Sequence, residues 1–402
     1  MSGGREVAII GIGMHPWGVF PEYNFDELAV DAITKALKDA KISWKQVQAM
    51  AAGIHGWSGS PGLIPGNVVA SALGETGIPI VNVYAACATS VSALRQAYNM
   101  VAFGMCDLAM AVGAEKTPGG FFPAIPRLAE TKKFDYWALR FKAVGATNPV
   151  YWALDCKRRM DACGTTDKHL ALAKAKNSKN GSLNPNARFK KVFSVEDVMN
   201  SPMVCDPLRL LEIAATSDGA AAVIVCPMDR AKDYTDKPIK IEACSLATGQ
   251  FGDPTCRIPI LSNVAQSKAK APLISESVRA VNLAYKEAGL NPEDLDLIEL
   301  PDNSSWHELV YTECILRLQQ GEADRMLEKH ETDIGGRIPV CPSGGIASFG
   351  EAVSTQGLAQ VCELVWQLRG EAGPRQVEGA KIGLGQVYGA QGNNSCVILS
   401  RA

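Results

Sequence analysis

The 402-residue chain lacks the features that would mark it for a membrane, nucleic acid or a metal centre. No apolar run approaches the ~18 residues of a membrane span. Neither sign of charge dominates: the net charge of -2 leaves no electrostatic footprint for nucleic acid or an anionic surface. Any anionic ligand must therefore be held locally. No two of the 12 cysteines stand closer than seven positions, which excludes a CxxC zinc or redox pair, and no metal is expected in this chain. Gly11, Gly13 and Gly18 follow an apolar strand starting at Val7, but their spacing is not GxGxxG. Pro16, Trp17 and Pro21 also stand where a nucleotide-binding helix would begin, so a nicotinamide loop is excluded. The N-terminus passes directly into a strand, with no export signal. A soluble, cytoplasmic protein with reduced, mostly buried thiols is expected.

What is present is globular: 47% hydrophobic and 20% charged residues. The length calls for two domains, and an internal duplication places them. Residues 35–50 match residues 283–298 in pattern without a gap, giving helix, turn, short helical start and strand in both. The first copy opens at Asn24, a helix cap with Glu27 in the capping-box place. An N-terminal half, 1–230, and a C-terminal half, 231–402, are expected to join at the polar stretch 228–238. Residues 118–200 break the α/β rhythm and read as an insertion covering a substrate. Phe134, Tyr136, Trp137 and Phe141 open it, and the basic residues Arg188, Lys190 and Lys191 follow. These basic residues read either as a phosphate contact or as a solvated face.

The chain is organised around residues 81–95. A buried strand through Val81 and Val83 leads by small residues into a helix, with Cys87 at the turn. A thiol there faces backbone N–H groups and the positive end of a helix dipole, both of which favour the thiolate. In the second half, a strand at 296–300 runs into Pro301-Asp302-Asn303-Ser304 and then His307, and a glycine-rich loop follows Cys341. Loops at the carboxyl ends of such strands are where α/β proteins place chemistry.

Five segments in order, 5–13, 81–95, 216–225, 343–357 and 383–392, resemble the thiolase superfamily along essentially the whole chain. The resemblance is to the branch of sterol-carrier-protein thiolases and archaeal acetoacetyl-CoA thiolases. It implies an α/β, thiolase-like duplicated αβαβα five-layer fold, a homodimer, and acyl chemistry with coenzyme A as a substrate. Cys87 matches the family's acyl-accepting nucleophile. The family's Gly-His-Pro is here Gly350-Glu351-Ala352, so Glu351 replaces the activating histidine. The branch's His-Asp-Cys-Phe is here Pro301-Asp302-Asn303-Ser304, which leaves Asn303 to supply an amide and His307 to stand a helical turn away. The second, acid/base cysteine of degradative thiolases falls at Val387 or Tyr388.

The expected site is therefore Cys87 with Glu351 as base and Asn303, His307 and Tyr388 as further polar groups. Gly345 and Gly389 are expected to offer oxyanion N–H groups, and Arg188 and Lys190 to touch substrate. An ordinary carboxylate near pKa ~4.3 is too weak a base for a thiol near ~8.5 unless burial raises it. Related proteins of this fold include retro-aldolases of steroid side chains and a benzoylsuccinyl-CoA thiolase, both similar in working with a small zinc-ribbon/OB-fold partner. Thiolysis of a 3-oxoacyl-CoA, with an aromatic acyl group among the options, retro-aldol cleavage and catalytically silent acyl-CoA or lipid binding remain open on these residues.

Overall fold

The computed structural model describes residues 4–54, 64–117, 148–249, 275–389 and 392–402. The first half supplies β1 (Val7–Gly18), α1 (Phe25–Asp39), β2 (Ala49–Ile54), α2 (Pro65–Leu73), β3 (Ile80–Asn82), α3 (Thr89–Ala102) and β4 (Ala109–Glu115). Helices α4 (Asn148–Cys163), α5 (Asp167–Ser182) and α6 (Val195–Met199) follow, then β5 (Met203–Cys205), β6 (Leu208–Arg209) and β7 (Asp218–Pro227). The second half runs β8 (Ile239–Ala247), α7 (Ser275–Ala288), β9 (Leu297–Glu299), α8 (Ser305–Leu316), α9 (Glu322–Glu328), α10 (Gly345–Phe349), α11 (Gln356–Arg369), β10 (Ile382–Gly389) and β11 (Asn393–Arg401). The aromatic residues 134–141, His55 and Cys256 lie outside the described residues. No described helix is long and apolar enough to cross a membrane.

The sheet order is β3-β2-β4-β7-β1-β8-β11-β10-β9, and it repeats itself about the β1–β8 junction. Going outward from β1, the neighbours pair antiparallel to β7, antiparallel from β7 to β4, parallel to β2 and parallel to β3. Going outward from β8, the same sequence runs through β11, β10 and β9 to a parallel bridge at Val340. The match of residues 35–50 with 283–298 appears as helix, 3-10 turn and strand in each copy. Trp44 answers to Pro292 and Ala49 to Leu297, at the same offset as Lys35 to Leu283. Both 3-10 turns carry a capping box, from Ser43 with Gln46 and from Asn291 with Asp294.

Alternation along the buried strands builds the layers. Ile10, Met50, Met110 and Ile224 pack with Leu28 and Ile33 of α1 on the outer face of the first sheet. Ile9, Ala51, Ala111 and Val223 face the other way, onto Val91, Leu94 and Val101 of α3. Leu358, Val361 and Leu364 of α11, with Val397 and Leu399 of β11, belong to that same central cluster. Ile298, Leu384 and Ile398 face outward to Val281, Tyr285, Leu309 and Tyr311. The result is the αβαβα arrangement, with α3 and α11 in the shared middle layer. Gly11 and Gly13 sit inside β1, where an added Cβ would lie 2.5 Å from Ala36 O and 2.1 Å from Ala32 O of α1. They serve helix–strand approach, which accounts for the missing nucleotide loop. The polar stretch expected to join the halves forms the 3-10 helix Met228–Asp233, and beyond it Lys237 Nζ donates to Arg369 O at 2.9 Å.

Candidate active site

Cys87 lies in a single 3-10 turn, Ala86–Ala88, between β3 and α3. Ala86 holds a left-handed φ of 49°, a conformation that costs a non-glycine residue of order 1 kcal/mol and persists where surroundings enforce it. Here they do. Ala85 N donates to Thr89 Oγ1 at 2.7 Å, and Ala88 N to Ala85 O at 3.0 Å. Strand glycines allow the first turn of α3 to press onto the sheets: a Cβ at Gly53 would come 2.9 Å from Thr89 O, and one at Gly113 2.9 Å from Ser90 Cβ. From the other half, a Cβ at Gly389 would meet Ala85 O at 2.9 Å and Ala88 N at 3.1 Å. Cys87 is half-buried, whereas Cys156, Cys226, Cys244, Cys341, Cys362 and Cys396 are buried and burial pushes each of those thiols up.

The segment carrying Glu351 reaches this turn from the second half. Ser90 N donates to Ser354 O at 3.0 Å, and Leu358 N donates back to Ser90 Oγ at 3.1 Å. Ser354 N is held in turn by the buried Glu115 at the end of β4, at 3.2 Å. Glu351 itself forms a parallel bridge with Thr216, its N donating to Ala215 O at 2.6 Å and its O accepting from Ser217 N at 2.9 Å. Gly350 is required beside it, since φ is 84° and a Cβ would stand 2.2 Å from Ser217 Oγ. The Glu351 side chain is 5% exposed, and Asn303 Nδ2 donates to its Oε1. Burial pushes this carboxyl up to about 7, while the Asn303 bond pulls the other way. A carboxyl in that range can both take and return a proton near neutrality.

Asn303 is thus brought to Glu351. Its neighbour Asp302 clamps the start of α10, accepting from Ile346 N at 2.6 Å and Ala347 N at 3.2 Å. Asp302, Glu308 and Cys341 place ligand-type atoms within 4.8 Å of one another, and the two carboxyls share partners on α5. Asn177 donates to Asp302 at 2.8 Å and to Glu308 at 2.6 Å, and Lys176 Nζ lies 2.6 Å from Glu308. Sequence reasoning missed these α5 partners, because long-range charge pairs leave no local pattern.

His307 and Tyr388 are placed elsewhere. His307 is buried and accepts at Nδ1 from Ser304 N at 3.1 Å, closing the cap of α8. That bond puts the ring proton on Nε2, and burial lowers the imidazole to about 3. Its ring lies 4.9 Å from Trp152 and 6.5 Å from Tyr388. Successive residues of β10 alternate in direction: Val387 Cγ2 lies 3.4 Å from where a Cβ on Gly357 of α11 would be, so Tyr388 and His307 share the face away from the Cys87 turn. Gly345 N already donates to Ser343 Oγ at 2.9 Å, which uses the N–H expected for an oxyanion; Gly389 alone of the two glycines abuts the Cys87 turn. Arg188 donates to Thr216 O and, at 3.2 Å, to Ser217 Oγ, bracing the segment that pairs with Glu351. Lys190 Nζ donates to Asn184 O. Both cations expected to touch substrate are therefore engaged within the chain.

The chain matches the family "Thiolase, N-terminal domain" over residues 7–118 and "Thiolase C-terminal domain-like" over residues 261–401. It is 37% identical to an acetyl-CoA acetyltransferase of Methanothermobacter thermautotrophicus, covering 99% of this chain and 100% of that one. It is 31% identical to the benzoylsuccinyl-CoA thiolase subunit BbsB of Thauera aromatica, over 93% of this chain and 92% of that one. Among solved structures it shares its fold with an Ltp2-ChsH2(DUF35) aldolase, with a TM-score of 0.81 at 21% identity and 98% of each chain covered.

Proposed function

The chain belongs to the thiolase family of acyltransferases that work on coenzyme A thioesters, and on that footing we propose that Cys87 is its acyl-accepting nucleophile and Glu351 its base. In the cleaving direction the Cys87 thiolate attacks the 3-oxo carbon of a 3-oxoacyl-CoA. The C2–C3 bond breaks, the acyl group stays on sulfur as a thioester, and the departing CoA-thioester enolate takes from Glu351 the proton that this carboxylate removed from the Cys87 thiol. Free CoA then gives its thiol proton to Glu351 and attacks the acyl-enzyme, releasing a new acyl-CoA and regenerating the thiolate. Backbone N–H groups about Gly389 are the oxyanion donors in this scheme.

One observation carries the reading: a buried carboxyl raised to about 7 stands in the place of the family's histidine, on a segment hydrogen-bonded to the first turn of the Cys87 helix. Steady-state kinetics on Glu351 variants test it. Glu351→Gln is expected to lower kcat by about 10²–10⁴, and Glu351→His to keep much of it. Equal loss in both would count against a proton-transfer role.

An aromatic acyl group is the substrate class the reading favours, supported by the benzoylsuccinyl-CoA thiolase relative. Retro-aldol cleavage is the second reading, supported by the shared fold with an aldolase. The names of that aldolase complex and of a thiolase subunit favour a second subunit, for which a small zinc-ribbon/OB-fold protein is proposed. A homodimer is proposed through β3, which ends the sheet and exposes Val81 and Tyr84 beside the site.

A further inference from the structure

Behind the turn that carries Glu351 lies a cavity of about 20 Å³, where roughly 10–15 Å³ of such space suffices for a water molecule. Its wall brings together Glu299, Ser343, Ile346, Phe349, Gln356 and Gln360, all of them buried. Gln356 is 0% exposed, and neither atom of its carboxamide meets a partner among the described residues. Gln360 Nε2, one helical turn further along α11, also lacks one. Exchanging the oxygen and nitrogen of Gln356 does not change this, because both positions are unmet.

A buried donor or acceptor left unpaired costs about 1–3 kcal/mol, so three of them around one cavity call for a guest. An apolar guest would satisfy none. A cation would meet the oxygens but set the two amide nitrogens against like charge. Only a molecule that both donates and accepts fits, and the volume limits it to the size of water. We infer that this cavity binds a single water molecule that accepts from Gln360 Nε2, donates to Glu299 and pairs with one end of the Gln356 carboxamide, so that two of the three unpaired atoms are met.

The consequence is a brace. Ser343, which donates through N at 3.0 Å and Oγ at 2.8 Å to Glu299, precedes α10. Phe349, whose O accepts from Ser217 Oγ at 2.7 Å, ends it, and Gln356 opens α11. Through Glu299 and Ser343 the water therefore ties α11 to the start of the short helix that delivers Gly350 and Glu351. Burial and the nearby Glu363 carboxylate also push the Glu299 carboxyl well above its ordinary value, which an added water donor would offset in the charged form.

A high-resolution crystal structure of the full chain tests the site, whether or not Cys87 is ever acylated. One density peak within hydrogen-bonding distance of Gln356 and Gln360 is expected, and it should vanish in Gln356→Leu or in Gln360→Leu, whichever variant folds. An empty cavity in the unsubstituted chain overturns the inference, and so does an anomalous peak there in crystals grown with rubidium. Hydrogen exchange tests the brace: amides of Ser343–Phe349 should lose protection by about tenfold or more in the folded variant. Unchanged protection would show that nothing is braced.

Discussion

Glu351 stands where the family pattern has an imidazole, and burial gives its carboxyl an imidazole's working range, about 7 against ~6.5 for histidine. The same shift has a cost in stability, with a definite sign. The folded chain keeps a proton on Glu351 that the unfolded chain has released near ~4.3. This contribution to stability is therefore fully present below that value and is lost as pH rises through about 7. Glu351→Gln removes the slope, so denaturant unfolding should show the variant gaining roughly 2–3 kcal/mol relative to the unsubstituted chain between pH ~5 and ~8. Parallel stability curves would mean that Glu351 is ionised throughout. The place of Glu351 was legible in Gly350-Glu351-Ala352. Its partner was not: Asn303 looked like an amide aimed at substrate, whereas the structure turns its Nδ2 onto Glu351. That contact depends on two loops of the folded second half meeting, and no spacing in the sequence encodes it.

At the scale of elements, α3 is positioned by what the strands beneath it omit. Gly53 and Gly113 leave room for Thr89 and Ser90, so the turn holding Cys87 sits directly on the sheet. Gly113→Val would drive a branched side chain into that contact, costing about 1–3 kcal/mol. It should also displace the first turn of α3, and the rate of Cys87 alkylation by iodoacetamide should change by about tenfold or more if the turn geometry sets its reactivity. An unaltered rate at lowered stability would show that the thiol does not depend on this packing. The duplicated helix–turn–strand units were legible because periodicity and capping are local: α1 with β2, and α7 with β9, follow the pattern matched at 35–50 and 283–298. The insertion was less so. It read as a segment covering a substrate, yet Lys174 and Lys176 of α5 are buried against the chain itself, donating to Ala347 O at 2.7 Å and Val340 O at 2.8 Å. Those carbonyls belong to the other half and cannot be seen from α5 alone.

On the proposed assignment of Cys87 and Glu351, the molecule as a whole places its chemistry where two copies of one unit meet. β1 joins β8 through Ala8 with Lys240 and Ile9 with Ile239, α3 and α11 share the central cluster, and Ser90 and Ser354 link the helix after Cys87 to the segment carrying Glu351. Neither half holds both Cys87 and Glu351, so the proposed site exists only in the assembled pair. The claim on which this rests is that sulfur 87 carries the acyl group in turnover. Mixing the protein with a 3-oxoacyl-CoA in the absence of free CoA and mapping its peptides by mass spectrometry tests it most directly. The acyl mass should appear on the peptide containing Cys87, disappear on adding CoA, and be absent from Cys87→Ala. Cleavage of substrate by Cys87→Ala, or turnover with no acylated peptide at any time, would contradict it.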